Sequence, residues 1–239
     1  MVVLLGKGQV AEARWTSVIS VIIPVLCEVE NISTLRQSTH MFRSLGIEVI
    51  IVDGGSDDGT QELVRAFADN FISAPLGRAK QLNAGAASAK GEVLLFLHAD
   101  TNISNEAFVQ ARDRIGSSEW GRFDVRIDNS KWFYRIVEYM INLRSRITGI
   151  ATGDQAIFVR KSLFYDIGGF ADIPLMEDVE ISRRLKQRAR PVCLKQKVVT
   201  SARYWEKHGL FTSVLRMWSI RFAYWVGCSP ERLYKRYYR

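Results

Sequence analysis

Cysteine is scarce in this sequence, with three residues of this type among 239. Cys27, Cys193 and Cys228 lie far apart and show no CxxC spacing. The sequence therefore indicates neither a disulfide framework nor a zinc site. This cysteine usage fits a reducing compartment, so we expect the protein in the cytoplasm.

Long apolar runs are also lacking near the N-terminus. Residues 2–5 are apolar, but Gly6 and Lys7 follow at once, and so short a run is neither a signal sequence nor a membrane span. We expect residues 1–16 to form a loosely held extension. With a hydrophobic content of 47%, the chain can bury one large core, so we predict a single domain over residues 17–239.

The positive charge of the chain is concentrated in its C-terminal quarter. The net charge is +8, and residues 183–239 alone contain 15 Lys and Arg against 2 Asp and Glu. Such a region is typical of proteins that meet a phosphorylated substrate, an acidic lipid or a nucleic acid, although it can also be a solvated face. Because no recognised DNA or RNA motif accompanies the basic residues, we expect no nucleic-acid partner.

Short apolar runs alternate with longer amphipathic segments along the chain. We predict strands at 18–23, 49–52, 71–74, 93–97, 123–127 and 156–159. We predict helices at 31–45, 60–68, 78–90, 105–115, 131–146, 178–187 and 212–226. This alternation predicts an α/β protein whose open sheet is mostly parallel and is covered by helices on both faces.

Three acidic residues follow predicted strands. Glu28 lies just beyond the first strand, Asp53 ends the second, and Asp100 follows the fourth. Because parallel strands end at one edge of a sheet, where ligands bind in open α/β proteins, we expect the three carboxylates to lie close together. Each of them could instead form a turn or cap a helix.

Short motifs follow one another in order along most of the chain. They are SVIIP at 20–24, IIVDGGSDDGT at 50–60, GRAKQLNAG at 77–85, LFLHAD at 95–100, TGDQ at 152–155, GGF at 168–170, ED at 177–178 and RYWEKHG at 203–209. Taken together, these motifs resemble those of the family 2 glycosyltransferases, which have the GT-A fold. The resemblance implies a nucleotide-binding N-terminal half and a C-terminal half that shapes the acceptor pocket.

The resemblance implies a nucleotide-sugar donor and a role for each residue of the donor site. Asp53 would accept a hydrogen bond from the base, while Pro24 and Glu28 would form the wall beside the base and ribose. Gly55, in the turn after Asp53, belongs to the same site. Arg78 would lie near the uridine and the diphosphate, where the fork of its guanidinium group suits phosphate.

The resemblance also implies a divalent cation, Mg²⁺ or Mn²⁺, at the donor diphosphate. Asp100 matches the last acid of an Asp-x-Asp motif, whose metal neutralises charge on the leaving nucleoside diphosphate. The chain departs from this pattern at His98, which replaces the first acid and is a poorer partner for these ions than carboxylate. His98 could instead contact the ribose or a phosphate. His208 is a candidate additional metal ligand or a solvated side chain.

The adjacent acids Glu177 and Asp178 match the catalytic position of the family. Asp178 corresponds to the general base of an inverting transfer, which accepts the proton of the acceptor hydroxyl as its oxygen attacks from the side opposite the leaving group. The alternative is that both acids cap the helix that begins there.

Aromatic and basic residues are mixed in two later segments, 131–141 and 210–238. Charged residues interrupt both, so neither segment can span a bilayer. They are typical of helices that lie at the surface of an anionic membrane, but they could equally fill the core of the second half.

We therefore predict an enzyme that transfers a sugar from a nucleotide donor to a hydroxyl acceptor, which could be lipid-linked or phosphorylated. Two alternatives stay open. A nucleotidyltransferase would require a Gly-rich, basic loop after the first strand, and the sequence lacks it. A non-catalytic binding or membrane-surface module would be consistent with His98 as the mark of a decayed metal site.

Overall fold

The computed structural model describes residues 19–238, which are arranged around one eight-stranded sheet. The expected extension at residues 1–16 lies outside the described residues. In chain order the strands are β1 Ile19–Val25, β2 Glu48–Asp53, β3 Asn70–Ser73, β4 Val93–Phe96, β5 Thr101–Ile103, β6 Trp120–Asp128, β7 Ile157–Arg160 and β8 Val192–Ser201. The helices are α1 Ile32–Ser44, α2 Thr60–Arg65, α3 Arg78–Ser88, α4 Asn105–Ser117, α5 Trp132–Thr148, α6 Lys161–Asp166, α7 Glu177–Arg188, α8 Arg203–His208, α9 Leu210–Trp225 and α10 Pro230–Tyr237. Short 3-10 turns occupy Val29–Asn31 and Gly153–Gln155.

The first four strands form a parallel half of the sheet. They lie in the order β3-β2-β1-β4, and every neighbouring pair is parallel. Successive side chains of β1 point to opposite faces, yet Val21 and Ile22 are both completely buried. Burial on both faces is the environment that a continuous apolar strand requires, so the prediction for this half is confirmed.

The other four strands form a mixed half. β7 runs antiparallel to β4 and β6, whereas β8 runs parallel to β6 and antiparallel to the edge strand β5. β5 and β8 were not predicted from the sequence. β5 is only three residues long, and β8 places Lys195 and Lys197 on an exposed face, so no apolar run marks it. Across the whole sheet the parallel pairings outnumber the antiparallel ones.

Helices cover both faces of the sheet, as predicted. One buried cluster joins alternate residues of β1 to Leu35 and Phe42 of α1 and to Phe108 of α4. The cluster on the other face includes Leu82 of α3 and Leu185 of α7. These two layers bury the apolar stripes of the helices and fix the edge of the sheet at which the strand ends and the N-terminus of α7 meet.

The C-terminal region is built from α8, α9 and α10. The predicted helix 212–226 corresponds to α9, while α8 and α10 were not predicted as separate helices. Gly209 separates α8 from α9 and has φ of +78°. This conformation ends the helix and is unfavourable for residues with a side chain, so a glycine suits the position. Within residues 19–238, no helix combines the length and the apolarity that crossing a bilayer would require.

The aromatic residues of α5 and the C-terminal helices range from buried to exposed. Tyr134 and Trp205 are buried in a small third cluster, together with Ile127 and Ala202, and the half-buried Phe133 packs against it. The largest group is exposed and includes Trp132, Phe211, Trp218, Phe222 and Trp225. Core packing, one of the two explanations offered by the sequence, therefore does not account for this exposed group.

Candidate functional site

A cavity of about 500 Å³ opens at the edge of the sheet beyond the ends of β4 and β8. Its walls come from the loop after β4, from α5, from the 3-10 turn at Gly153–Gln155, from the start of α7 and from the C-terminal helices. The lining residues include Arg78, His98, Asp100, Asp154, Glu177 and Asp178. Charged and titratable groups from distant parts of the chain thus meet in one concave site, which is the usual form of a ligand site.

The loop after β4 contributes His98 and Asp100 to the cavity. His98 packs closely against Gly153, where a Cβ atom would lie 2.3 Å from the imidazole Nε2. Burial, together with the charge of Arg78, lowers the pKa of His98 to about 3. His98 is therefore a neutral imidazole at neutral pH. The close contact with its ring leaves no room for a side chain at position 153.

The start of α7 places Glu177 and Asp178 in the cavity wall. Met176, just before the helix, has φ of +70°, a conformation that is uncommon for a residue with a side chain and is often associated with functional sites. Asp178 Oδ2 accepts a hydrogen bond from the Gly153 amide at 3.0 Å, and Oδ1 accepts one from the Val179 amide at 2.7 Å. The backbone therefore orients this carboxylate, which also accepts from one N–H group in the first turn of α7.

Glu177 and Arg78 form an ion pair across the cavity wall. The Arg78 Nη1 to Glu177 Oε1 distance is 3.4 Å, with the arginine side chain 50% exposed and the glutamate side chain 5% exposed. Burial raises the pKa of Glu177, and Arg78 opposes this effect. Glu177 therefore positions the guanidinium group, whose exposed half can contact an anion.

Asp154 is a member of the cavity that the sequence analysis did not identify as a site residue. Its Oδ1 atom is buried and has no hydrogen-bond partner among the described residues. Burial raises the pKa of this carboxyl, while Thr152 and Arg144 oppose the shift. The signal in the sequence was the TGDQ motif at 152–155, which the resemblance used without assigning a role to its acid.

Asp53 lies at the end of β2 and is saturated by the turn that follows it. Its Oδ2 accepts from the Gly55 amide at 2.7 Å and from the Ser56 amide at 3.1 Å, and its Oδ1 accepts from the Ser56 hydroxyl at 2.5 Å. Gly55 has φ of +98° in this turn. Asp53 therefore holds the turn together, as its alternative interpretation proposed, and it does not line the cavity.

The other residues predicted for the nucleoside lie next to Asp53 rather than in the cavity wall. Pro24 pairs with Val52 in the sheet, and Glu28 follows β1. Burial raises the pKa of Glu28, the Asn31 amide opposes the shift, and Asp100 adds to it. The effect of Asp100 shows that Glu28 is within electrostatic reach of the cavity.

His208 is not brought to the cavity. It ends α8 on the surface, where its Nδ1 lies 3.0 Å from the Tyr204 carbonyl oxygen and its ring centroid lies 4.5 Å from that of Tyr204. Of the predicted site residues, Arg78, His98, Asp100, Glu177 and Asp178 therefore share one cavity, while Pro24, Glu28, Asp53, Gly55 and His208 lie outside its lining. The roles assigned to both groups stay predictions.

The cavity has the chemistry of a site for a hard cation, although protein groups alone do not surround one. Within residues 19–238, no three or more His, Cys, Asp or Glu side chains are grouped to hold a metal ion. Asp100 and the unpartnered Oδ1 of Asp154 nevertheless supply carboxylate oxygen. Mg²⁺ is commonly held by one or two carboxylates together with substrate phosphates, so these residues fit a cation that arrives with a phosphate ligand.

The chain resembles curated proteins that are named as sugar transferases. It is 29% identical over 116 residues to the 4,4'-diaponeurosporenoate glycosyltransferase of Staphylococcus haemolyticus, and the aligned region covers 45% of this chain and 31% of that protein. It is 28% identical over 162 residues to the undecaprenyl-phosphate 4-deoxy-4-formamido-L-arabinose transferase of Pseudomonas paraeruginosa, and the aligned region covers 59% of this chain and 46% of that protein. The chain spans less than half the length of these relatives.

Solved structures share the fold. TarS 1-349 of S. aureus in complex with UDP-GlcNAc has a TM-score of 0.63 and 22% identity, over 77% of this chain and 58% of that one. The mannosyltransferase PcManGT from Pyrobaculum calidifontis, in complex with GDP-Man and Mn²⁺, has a TM-score of 0.63 and 18% identity, over 89% of this chain and 66% of that one. The predicted GT-A fold is thereby confirmed.

The sequence itself matches the model of the family described as Glycosyl transferase family 2 over residues 20–165. This match extends from the start of β1 to α6 and includes His98, Asp100 and Asp154 of the cavity. It covers more than half of the 239 residues, and the chain therefore belongs to glycosyl transferase family 2.

Proposed function

We propose that this protein transfers a sugar from a nucleoside-diphosphate donor to a hydroxyl group of an acceptor. The observation that carries the proposal is the meeting of Arg78, Asp100 and Asp178 in one cavity of a family 2 chain. In this cavity the guanidinium group of Arg78 would bind phosphate, the carboxylate of Asp100 would bind a metal ion, and the carboxylate of Asp178 would accept a proton. Neither alternative raised by the sequence gains support, because family membership favours an enzyme of sugar transfer.

Arg78 would bind the donor diphosphate. Its side chain is half-exposed and is held by Glu177, so it is oriented before the ligand arrives. The turn of Asp53 and Gly55 and the neighbouring Pro24 and Glu28 would hold the nucleoside beside the cavity. In support, similar structures are complexes with UDP-GlcNAc and with GDP-Man.

A divalent cation would be held by Asp100 together with the donor phosphates. When bound, Mg²⁺ or Mn²⁺ offsets the negative charge that develops on the leaving diphosphate. The structure of PcManGT contains Mn²⁺, which supports this part of the proposal. His98 is the neighbouring donor group in the cavity, and its neutral imidazole can contact a phosphate or ribose hydroxyl. His208 would need to leave its contact with Tyr204 to serve as a ligand.

Asp178 would act as the general base, and the transfer would invert the anomeric configuration. The acceptor oxygen forms a bond to the anomeric carbon while the bond from that carbon to the diphosphate oxygen breaks. The hydroxyl proton passes to Asp178, and the nucleoside diphosphate leaves with the electron pair. The amide of Gly153 holds one oxygen of this carboxylate in the cavity, so its position does not depend on the acceptor.

The acceptor would carry a phosphate or a lipid, and the protein would work at the cytoplasmic face of a membrane. The basic C-terminal quarter supports an anionic acceptor, because it contributes Arg221 to the cavity wall. A similar curated protein is named for undecaprenyl-phosphate, a lipid-linked phosphate.

A ligand screen of the full chain tests the proposed function. Nucleoside diphosphates and UDP- and GDP-sugars are added with and without Mn²⁺, and we expect the matching donor to raise the melting temperature. The stabilising donor is then incubated with the protein, and release of nucleoside diphosphate is followed with the anomeric configuration of the product recorded by NMR. The proposal is wrong if no nucleotide stabilises the chain and no sugar nucleotide is cleaved.

A further inference from the structure

Helix α9 exposes an apolar stripe along its whole length. The stripe consists of Phe211, Leu215, Trp218, Phe222 and Trp225, whose exposed fractions lie between 60% and 81%. Their spacing of four and three residues places them on one face of the helix. We call these five residues the α9 stripe. Large apolar side chains concentrated in this way on a surface mark a site of interaction.

The α9 stripe is the outer side of a helix whose inner side is already packed. Ser213 and Ile220 are buried, and Val214 and Met217 pack against the cluster that contains Trp205. The stripe therefore contributes nothing to the core of residues 19–238. Burying it requires a partner outside the described part of the chain.

The stripe is continuous with the wall of the cavity. Trp218 belongs to both, being 60% exposed and a lining residue. Arg221, one turn further along α9, also lines the cavity, as do Ile141 and Arg144 of α5 on the opposite side. The cavity wall therefore includes parts of both α5 and α9, and the α9 stripe adjoins the cavity at Trp218.

The charges around the stripe select the kind of partner. α9 contains Arg216 and Arg221 and no acidic residue, and α10 adds three basic residues against one acidic residue. Trp and Phe on one face beside arginine are the composition of helices that lie in the headgroup region of an anionic bilayer. Arginine near such a surface adds attraction to acidic lipid.

We propose that the α9 stripe docks the protein on an anionic lipid bilayer, with the Trp218 side of the cavity wall facing the lipid. An acceptor anchored in that bilayer then reaches Asp178 past Trp218 and Arg221, with its apolar part remaining among lipid. The lipid-anchored acceptor rests on the proposed function, whereas docking on the bilayer does not. A second copy of the chain is the competing partner, because the stripe has the heptad-like spacing of a helix pairing face.

Vesicle sedimentation of the full chain tests this surface. The variant Phe222→Ser/Trp225→Ser removes two stripe residues that do not line the cavity. The control Leu63→Ser/Leu76→Ser removes two exposed apolar residues of the parallel half. Vesicles contain either phosphatidylcholine alone or equal parts of phosphatidylcholine and phosphatidylglycerol.

We expect the wild type and the control to bind the anionic vesicles and to be released by high salt, because part of the attraction is electrostatic. The stripe variant should partition at least about tenfold less, given the free energy of burying two aromatic side chains. Tryptophan emission of the wild type should shift to shorter wavelength on binding. Circular dichroism and the nucleotide-induced thermal shift establish that each variant is folded.

Two results overturn the proposal. One is a wild type that does not bind anionic vesicles at low salt, or that binds them no better than the stripe variant does. The other is a dimer in light scattering that the stripe variant abolishes, since the stripe would then be a self-association surface. A protein that binds vesicles through the stripe but cleaves no sugar nucleotide would refute the proposed function and leave the docking surface in place.

Discussion

The turn after β2 and the wall of the cavity use their acidic residues in opposite ways. In the parallel half, Asp53 is completely buried and accepts from three donors, the Gly55 N–H, the Ser56 N–H and the Ser56 hydroxyl. In the mixed half, Asp178 and Asp154 line the cavity, and an oxygen of Asp154 has no partner among the described residues. A carboxylate saturated by backbone donors holds a turn, whereas one with free lone pairs can accept a proton or a ligand. Position at a strand end therefore does not by itself make an acid catalytic.

The largest effect that sharpens this contrast is expected at Asp178. Asp178→Asn should lower turnover about 10³-fold, because the amide cannot accept the proton of the acceptor hydroxyl. The amide oxygen can still accept from the Gly153 N–H, while the NH₂ group then faces the Val179 N–H, so the melting temperature should fall slightly and donor affinity should change little. Initial rates and calorimetric titration with the donor measure the two quantities separately.

The matched control is Asp172→Asn. The Asp172 side chain is 70% exposed, and its Oδ2 lies 3.7 Å from Lys80 Nζ. Such a surface ion pair contributes little to the free energy of unfolding. We expect wild-type turnover in this variant. Turnover of Asp178→Asn within tenfold of the control would contradict the assignment of the base.

Asp53→Asn is expected to act on stability instead. The amide oxygen can still accept from the Gly55 and Ser56 N–H groups, and the NH₂ group then faces the Ser56 hydroxyl, but the negative charge that strengthens these hydrogen bonds is lost. The free energy of unfolding should fall by about 2 kcal/mol, as measured by urea denaturation. Asp69→Asn, which removes a half-exposed partner of Arg43, should cost less than about 1 kcal/mol. Equal losses in the two variants would remove the distinction between a buried turn acid and a surface acid.

Close packing at Gly153 gives the next test. Gly153→Ala would push a Cβ atom into the His98 ring and should cost about 2 kcal/mol of unfolding free energy. His98→Ala removes the obstacle, so the double variant should recover most of the loss due to Gly153→Ala, and a double-mutant cycle reads this coupling. If the losses of the two single variants simply add in the double variant, the cost of Gly153→Ala does not arise from contact with His98.

The four strands of the parallel half could be predicted, as could β6 and β7 of the mixed half, because most of these strands are buried and apolar. β8 escaped prediction since Lys195 and Lys197 interrupt it on its exposed face. Asp178 was identified through a motif, whereas Asp154 was not given a role because it follows no strand and its importance depends on burial. Burial and unsatisfied hydrogen bonding are products of tertiary packing, so the sequence cannot display them locally.

The smallest expected effect concerns Glu28, which follows β1 and is within electrostatic reach of Asp100. Burial raises its pKa above the ordinary value of 4.5, so the folded state binds the proton more tightly than the unfolded state does. The resulting stabilisation is fully present below pH 4.5 and is lost as the pH rises through the folded pKa.

Glu28→Gln removes this dependence while keeping a side-chain oxygen for the Asn31 amide. We therefore expect the variant to match the wild type near pH 4 and to become relatively more stable towards pH 8, in urea titrations at both values. Glu62→Gln, at an exposed position of α2, should show the same difference from the wild type at both pH values. A Glu28 variant that loses stability towards pH 8 would show that the ionised carboxylate is itself held by the protein, as Asp53 is, and the two acids would then belong to one class.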